Sequence, residues 1–366
     1  MEKYGMGDVR QSRKKWDAAE NQPLTAREKE LVERGYTLFD FFYDQLREDH
    51  EEMKRARRIR DHKGERGAAA PTSNTLGSCV DNMIADQIDN LPEAVMLPER
   101  EETANSAEEM EDVVSFVLYH AGWPGKYQTM MEDAIVTGGA GMVSVLAWHP
   151  EDFYPDPMYE DIQDGRGCFK VTHTTVAWIE EHYPHARGYV AGDAYGEEDA
   201  GEFETPEGDE RALLIEFWYK RYDAGSRRTF IHMAQFAGHA LLFSTETGYG
   251  AEGGAYPEGV YAHGQYPFTL YKFRDSWRKP FGKGLIHDYS GTQAAIDRYA
   301  KYIDDNARES SVQRHFIRRG SGVNPDDVAD MRKTIIEWEG NDIREVMQTV
   351  QASPLNGQVY EMMCYM

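Results

Sequence analysis

Gly282, Lys283 and Gly284 are residue types that occur in phosphate-binding loops. A phosphate-binding loop has the form G-x-x-x-x-G-K-[ST], because successive backbone amides hold the phosphates and the last hydroxyl binds Mg²⁺. Trp277 stands where the first glycine should be, and Gly284 stands where the hydroxyl residue should be. Two of the four fixed positions therefore fail, and the pattern favours a flexible joint between a strand and a helix.

An acidic segment, HPEDFYPDPMYEDIQDG, suggests a metal site. Its carboxylates are Asp152, Asp156, Glu160, Asp161 and Asp164. Their spacing does not match an EF-hand loop, whose sixth residue is glycine. Prolines within the segment favour extended and turn conformations, so an irregular acidic loop is the preferred interpretation. A metal-dependent hydrolase that uses the Asp152 to Asp164 loop is kept as an alternative.

The remaining residues with metal-binding or nucleophilic side chains form no recognisable catalytic pattern. His182 and His185 are separated by Pro184, which ends the helix that would align them, so they are predicted to be packing or surface residues. Cys79, Cys168 and Cys364 lie far apart, without the spacing of zinc ligands. We therefore predict no catalytic residue, no bound metal and no cofactor.

Charge narrows the class of protein further. The 366 residues include 64 acidic and 40 basic side chains, a formal net charge of −24, which argues against duplex binding through a basic face. The basic cluster from Lys54 to Arg66 is interpreted as a solvated helix end, with contact to nucleic acid as the alternative. No apolar run approaches the roughly 20 residues that span a bilayer, so no membrane partner is expected.

The N-terminal part of the chain is predicted to be helical. TARE, from Thr25, has the form of a capping box, and apolar residues recur at helical spacing from Leu31. A second helix is predicted over residues 75–90. A third is predicted to be capped by Ser106, and a shorter one to cover residues 126–136. These are expected to be core helices.

The pattern then changes to short strands. MVSVLAW predicts one buried strand, and strands are predicted at CFKVTH, ALLIEFWYKRY, RRTFIHMAQFAGHALLF and YPFTLYKFR. Ala237, Gly238 and His239 are predicted to form a hairpin turn, and residues 192–210 an exposed acidic loop.

A long polar helix is predicted after Pro280, and its thin apolar stripe is hard to bury in a monomer. Beyond it we predict a strand at RHFIRR, a short helix at DDVADMRK, strands at TIIEWE and IREVMQTVQA, and a helix that starts at Ser353. That last helix has no cap or breaker, so the chain looks cut short.

In order, these elements resemble a tailed-phage portal protein. SCVDNMIADQIDNLPEAVMLP is similar to the early helix and proline-rich strand of that family, and MMEDAIVTGGAGMVSVLAWHPEDFYPDP to the helix, glycine turn, strand and Asp-Pro loop of its wing. LLIEFWYKRY and YAHGQYPFTLYKF resemble the strands that lead to the stem. The resemblance runs from about Arg34 to the C-terminus, although family members continue through a second stem helix, a tunnel loop and usually a crown.

The resemblance implies an α+β fold, the phage portal fold, with a mixed α/β wing, a long stem helix and a small α/β clip. The implied divisions are an N-terminal helical region of the wing (1–70), the α/β wing (71–280), the first stem helix (281–310), the clip (311–352) and the start of the second stem helix (353–366).

The resemblance also assigns roles to residues. The wing-to-stem hinge would be Gly282, Lys283 and Gly284. Stem-helix packing between subunits would use Ile286, Tyr289, Gln293, Ile296, Tyr299 and Ile303. The clip would meet the terminase or the adaptor through Arg314, Arg318, Arg319, Asp326 and Asp327.

The function implied is that of a portal, which is not an enzyme. A capsid-associated DNA-binding protein that acts through the Lys54 to Arg66 cluster is kept as an alternative. Such proteins form a homo-oligomeric ring of about twelve subunits at one capsid vertex, in the virion and, during assembly, in the host cytoplasm. Their partners are the terminase large subunit, the major capsid and scaffolding proteins, the head-tail adaptor and double-stranded DNA, which passes through without sequence specificity. Packaging, capsid assembly, tail attachment and DNA ejection follow from that position. The acidic composition further predicts a channel wall that is net negative, since a wall rich in Lys and Arg would bind the phosphates and slow the DNA.

Overall fold

The structure is a computed structural model. It describes residues 21–61, 74–98, 100, 104–143, 146–192, 210–261, 263–311, 314–320, 322–329 and 347–350, with single positions at 335, 337, 339, 342, 357 and 361. By contacts the chain divides into two units. The first contains the chain up to residue 61 and from 77 to 288, and the second contains residues 62–76 and the chain from 289 onward.

The first unit begins with helix α1, Ala26–Arg60. Thr25 caps it as predicted: its backbone N–H donates to Glu28 Oε2 at 2.7 Å, and its Oγ1 accepts from the Glu28 amide at 3.4 Å. This reciprocal pair satisfies donors that a helix start leaves unpaired. Leu31, Phe39 and Phe42 then form the buried stripe of α1.

α1 packs on a five-stranded antiparallel sheet of order β3-β4-β5-β6-β7. The strands are β3 Phe153–Pro155, β4 Gly167–Thr175, β5 Arg211–Asp223, β6 Arg228–Ala237 and β7 Ala240–Ser244. The predicted hairpin turn is confirmed, because Gly238 and His239 both have positive φ, at 50° and 66°, between paired Ala237 and Ala240. A short helix α5, Val176–His182, follows β4.

Aromatic rings fill the space between α1 and this sheet. Phe39 meets Phe169 edge to face at 5.3 Å, and Phe169 stacks on Phe217 at 4.5 Å. Since Phe169 on β4 and Phe217 on β5 are directly paired, one cross-strand pair receives the helix.

A second sheet corrects one prediction. MVSVLAW is not one strand: β1 Gly139–Val143 and β2 Leu146–Trp148 pair with each other, and β1 also pairs with β8, Phe268–Lys272. Gly141 explains the close pairing, because a Cβ atom there would lie 1.8 Å from the Trp148 indole. Continuous apolar character marks burial but cannot show where a chain reverses.

Three more helices complete the first unit: α2 Thr75–Ile88, α3 Ala104–His120 and α4 Trp123–Thr137. The predicted inward stripe of α2 is confirmed at Val80 and Ile84, which are buried. The prediction for α3 is wrong twice: the helix begins before Ser106, and Met110, Val113 and Val117 are half exposed. Val114, with Leu118 one turn further on, is the partly buried side of α3.

The long helix α6, Leu285–Ser311, is present as predicted. In the second unit β9 Arg314–Ile317 pairs antiparallel with β10 Met347–Val350, and the short helix α7, Pro325–Ala329, lies between them in sequence. The predicted acidic loop, the strand at TIIEWE and the helix from Ser353 lie largely outside the described residues. No helix in the described part of the chain is long and apolar enough to cross a membrane.

Candidate functional site at the start of the long helix

The segment before α6 crosses the turn that ends α4, with backbone packed on backbone. A Cβ atom on Gly138 would lie 2.6 Å from the Gly282 carbonyl oxygen, and one on Gly284 would lie 2.3 Å from the Val136 carbonyl oxygen. Real Cβ atoms essentially never come this close to another heavy atom. A Cβ atom on Gly282 would lie 2.6 Å from the Gly138 carbonyl oxygen, so both glycines of the predicted hinge are required for the close approach. We call this contact the glycine crossing (Gly138, Gly282 and Gly284).

Hydrogen bonds fix the glycine crossing on both sides. Phe273 N donates to the Gly138 carbonyl at 3.1 Å, and Lys283 N donates to the Arg274 carbonyl at 2.9 Å. Phe281 is fully buried beneath the segment, with its ring 5.7 Å from the His50 ring on α1. The sequence indicated a flexible joint at Gly282 and Gly284. In the structure these close contacts and hydrogen bonds restrict the backbone there.

A charged crevice lies beside the glycine crossing. Its lining includes Asp49 and Glu52 from α1, Lys279, Lys283 and His287. Lys279 Nζ lies 2.5 Å from Asp49 Oδ1, and His287 Nδ1 contacts Glu52 Oε1. Acidic residues of α1 and basic residues around the α6 start are therefore paired across this crevice, which holds the first turn of α6 against α1.

The basic end of α1 forms internal ion pairs. Arg57 reaches Asp133 Oδ1 at 2.8 Å and Glu151 Oε1 at 2.5 Å, so one guanidinium joins α1, α4 and the turn before β3. Arg60 reaches Asp81 at 2.5 Å and Glu132 at 3.3 Å. Arg57 and Arg60, two of the cluster's arginines, are therefore structural, which corrects the interpretation of a solvated helix end and weakens the DNA-binding alternative; Lys63 and Arg66 lie outside the described residues.

Arg57, Asp133, Glu151 and His149 form one ion-paired group, the Arg57 cluster, in which two side chains have shifted pKa values. His149 Nδ1 lies 2.9 Å from Asp133 Oδ2, and this hydrogen bond raises the pKa of His149. Burial raises the pKa of Glu151, although Arg57 opposes the effect. Asp133 itself is almost fully buried, so its charge depends on Arg57 for compensation.

Residues of the predicted stem stripe occupy different environments. Ile286 is fully buried in the core of the first unit with Ala56, Val80 and Ile135, so it anchors the first turn of α6 in its own subunit. Gln293 is also buried, and its Oε1 accepts from the Leu76 amide at 3.2 Å. The other four keep surface accessible: Tyr289 is 48% exposed, and Ile296, Tyr299 and Ile303 are partly buried.

The charged residues predicted for the clip are grouped around β9 and α7. Arg318 and Arg319 follow β9 directly and are exposed, while the side chain of Arg314 is not among those described. Asp326 and Asp327 lie in the first turn of α7, where the Asn324 side chain accepts from the Asp326 amide at 3.2 Å. Acidic residues at a helix start are favourable on their own, so these two have a local structural role as well.

Two carboxylates of the acidic segment that suggested a metal site form hydrogen bonds within the protein. Asp156 is buried, with Arg166 donating to both its carboxylate oxygens at 2.6 and 3.0 Å, which lowers the pKa of Asp156 despite burial. Asp161 accepts from the Gln163 amide at 2.8 Å. Among the described residues no group of three or more His, Cys, Asp and Glu side chains is placed to hold a metal ion.

The two histidines of EHYPH pack as predicted. His182 stacks on Trp178 at 3.9 Å, and His185 Nε2 lies 2.7 Å from the Leu242 carbonyl oxygen. The roles of Gly138, Arg57 and Asp133 were not predicted from the sequence: Gly138 packs against the start of α6, whereas Arg57 and Asp133 link α1 to α4. The one signal was the TGGAG stretch, since adjacent glycines after a helix can mark close backbone approach as well as a turn.

Comparison with known proteins gives the family. The family model for the phage P22-like portal protein matches residues 40–246, which is more than half of the chain. The matched region runs from α1 through β7, so it contains the five-stranded sheet and the Arg57 cluster. A search of curated proteins found no match. The chain has the α+β fold expected of a portal, and it belongs to the phage P22-like portal protein family.

Proposed function

We propose that this chain is the subunit of a ring of about twelve copies that forms the DNA channel at one capsid vertex. Membership of the portal family implies that the chain assembles into a ring at the capsid and has a structural rather than an enzymatic role. The proposal adds that terminase drives the genome through this ring, that scaffolding and capsid proteins assemble around it, and that an adaptor later joins it to the tail.

One observation supports the proposal independently of the family: the surface of α6 is largely polar, and its apolar stripe is only partly covered by the described residues of the chain. Tyr289 and Tyr302 are about half exposed, at 48% and 51%, on a helix of 27 residues. In a ring, the same helix of neighbouring subunits can cover these side chains by lateral, heterologous contacts. The helix then becomes the stem wall, with Tyr289, Ile296, Tyr299 and Ile303 as packing residues between subunits.

Charge supports passage of DNA rather than binding. Between Leu285 and Ser311 the helix carries five acidic side chains and three basic ones, in a chain whose formal net charge is −24. Each phosphate that a protein neutralises adds affinity through counterion release. A stem wall with an excess of acids therefore lets the duplex slide.

Around the stem, we assign Gly282, Lys283 and Gly284 to the wing-to-stem hinge and residues 311–352 to the clip. The glycine crossing supports a joint at this position, because the backbone there has close contacts on two sides. Arg318 and Arg319, with Asp326, present exposed charge that a terminase or an adaptor could pair with.

The test is the assembly state of the purified chain. Native mass measurement and negative-stain microscopy should show rings of about twelve subunits with a central channel. A second measurement, duplex binding at physiological salt, should show weak and sequence-independent affinity. Tight duplex binding by a monomer would favour the DNA-binding alternative instead.

A further inference from the structure

Helix α3 has an apolar side that stays exposed among the residues the structure describes. Met110, Val113, Phe116 and Val117 are each about half exposed or more. Glu111, on the other side of α3, accepts from the Met96 amide at 3.1 Å and holds an extended segment there. We call the four side chains Met110, Val113, Phe116 and Val117 the α3 face. Contiguous exposed apolar side chains of this kind mark interaction surfaces.

Acidic residues border the α3 face. Glu109 lies one helical turn before Val113, and Asp112 lies one turn before Phe116, so both carboxylates are on the same side of the helix as these apolar groups. A partner that fits must therefore offer apolar surface together with positive charge. This chemistry disfavours DNA, whose phosphates the acidic border would repel.

The same unit carries a group with the opposite character at the turn before the glycine crossing. Trp277 is 82% exposed, and the Arg278 guanidinium lies 4.6 Å from its ring centroid. Arg278 has φ of 55°, a conformation that non-glycine residues rarely adopt. We call this pair the Trp277 knob. Tryptophan and arginine are the residue types that dominate binding energy at protein interfaces.

The Trp277 knob is held in place before any partner arrives. Lys279 N donates to the Ser276 carbonyl at 3.2 Å, closing the turn, and Lys279 Nζ pairs with Asp49 on α1. Lys272 Nζ donates to the Lys279 carbonyl at 3.1 Å. A turn fixed in this way loses little entropy on binding, which favours affinity.

The two surfaces attach to opposite ends of one helix. α3 connects to the N-terminal end of α4, whereas the segment that follows the Trp277 knob crosses Gly138 at the C-terminal end. Fifteen residues of helix separate these ends by about 22 Å at 1.5 Å per residue. Two different, complementary patches on one subunit are what a heterologous contact needs, and such contacts form a ring when the rotation between subunits closes.

We propose that the Trp277 knob of one subunit docks on the α3 face of the next, with Arg278 meeting the acidic border at Glu109 and Asp112. The occupant is thus a second copy of this chain. The inference rests on ring assembly and names the surfaces that produce it. It places a wing contact in addition to the contacts of the stem helices.

Photo-cross-linking tests this pairing directly. Trp277→benzoylphenylalanine in the full chain, irradiated after assembly, should give a covalent dimer whose cross-linked peptide lies within residues 104–120. Trp178→benzoylphenylalanine is the matched control, since Trp178 is an exposed tryptophan stacked on His182 of its own helix. Rings whose cross-links fall outside α3, or rings that form no cross-linked dimer, would overturn the docking proposal and leave ring assembly itself intact.

Charge reversal gives an independent test. Arg278→Glu and Asp112→Arg should each raise the protein concentration needed for ring assembly about tenfold, as for a charged pair in an interface, and the double variant should recover most of the loss. Arg228→Glu, at an exposed position on β6, should leave assembly unchanged. Additive losses in the double variant would contradict the contact. A wild-type chain that stays monomeric would contradict ring assembly and, with it, this interface.

Discussion

Gly138 and Gly284 are in backbone contact: a Cβ atom on Gly284 would lie 2.9 Å from the Gly138 amide nitrogen and 2.3 Å from the Val136 carbonyl oxygen. The end of α4 and the start of α6 can approach this closely only because neither glycine has a side chain. The start of α6 is therefore held against the end of α4 by two residues far apart in the sequence.

Gly284→Ala should lower the free energy of unfolding by about 2–4 kcal/mol, because the new methyl group forces the two backbones apart. The comparison is Gly291→Ala, since a Cβ there would meet nothing within 4 Å. On α6 that substitution should stabilise by up to about 1 kcal/mol through helix propensity. Urea unfolding at matched protein concentration measures both, and equal effects of the two substitutions would show that the glycine crossing is not a close contact.

Arg57→Ala should cost about 3–5 kcal/mol, because it leaves the buried carboxylate of Asp133 without its countercharge. Asp133→Asn should cost less, since no buried charge is then left behind. The double variant should be far from additive, because both substitutions break one interaction. Arg58→Ala is the matched control, a neighbouring arginine in the last turn of α1. Additivity within about 0.5 kcal/mol would contradict the cluster.

His50 should make the first unit sensitive to acid. Burial lowers the pKa of His50 to about 4 from its ordinary 6.5, with Lys54 adding to the effect and Asp49 and Asp152 opposing it. Because the unfolded chain takes up the proton first, stability is lost as pH falls from 6.5 towards 4, by about 3 kcal/mol for this one group.

His50→Phe should remove that part of the pH dependence while the ring contacts with Tyr154 and Phe281 are kept. The measurement is the difference in unfolding free energy between pH 6.5 and pH 4 for each protein. His263→Asn, at an exposed histidine, should leave the difference unchanged. An unaltered pH dependence in His50→Phe would show that His50 is not the group responsible.

Asp156→Asn should lower the unfolding free energy by about 1–3 kcal/mol, because Arg166 loses a charge-assisted pair of hydrogen bonds. A chelator such as EDTA should leave both the unfolding transition and the assembly state unchanged. If EDTA instead lowers the melting temperature of the wild type and has no effect on Asp156→Asn, the acidic loop binds metal. That result would support the metal-dependent hydrolase as the function.

Local patterns in the sequence predicted the local structure well. The capping box at Thr25 and the hairpin turn at Gly238 depend on residues within a few positions of each other, and both are confirmed. The family was likewise recognisable from the order of elements, and the family model confirms it.

Contacts between residues far apart in the chain could not be predicted from the sequence. Arg57 looked like part of a solvated basic run, since nothing near it in the sequence shows that Asp133 and Glu151 surround it. The glycines before α6 were interpreted as flexible because the close approach of Gly138 is a tertiary contact. Periodicity gave α3 an apolar side, but periodicity does not tell whether the same chain or a neighbouring one covers it.

Negative-stain microscopy combined with native mass measurement of the purified chain tests whether the subunits form a ring. We expect closed rings of about twelve subunits with a central channel, in which neighbouring subunits cover Tyr289 and Tyr302 of α6. A stable monomer or dimer at micromolar concentration would contradict this expectation.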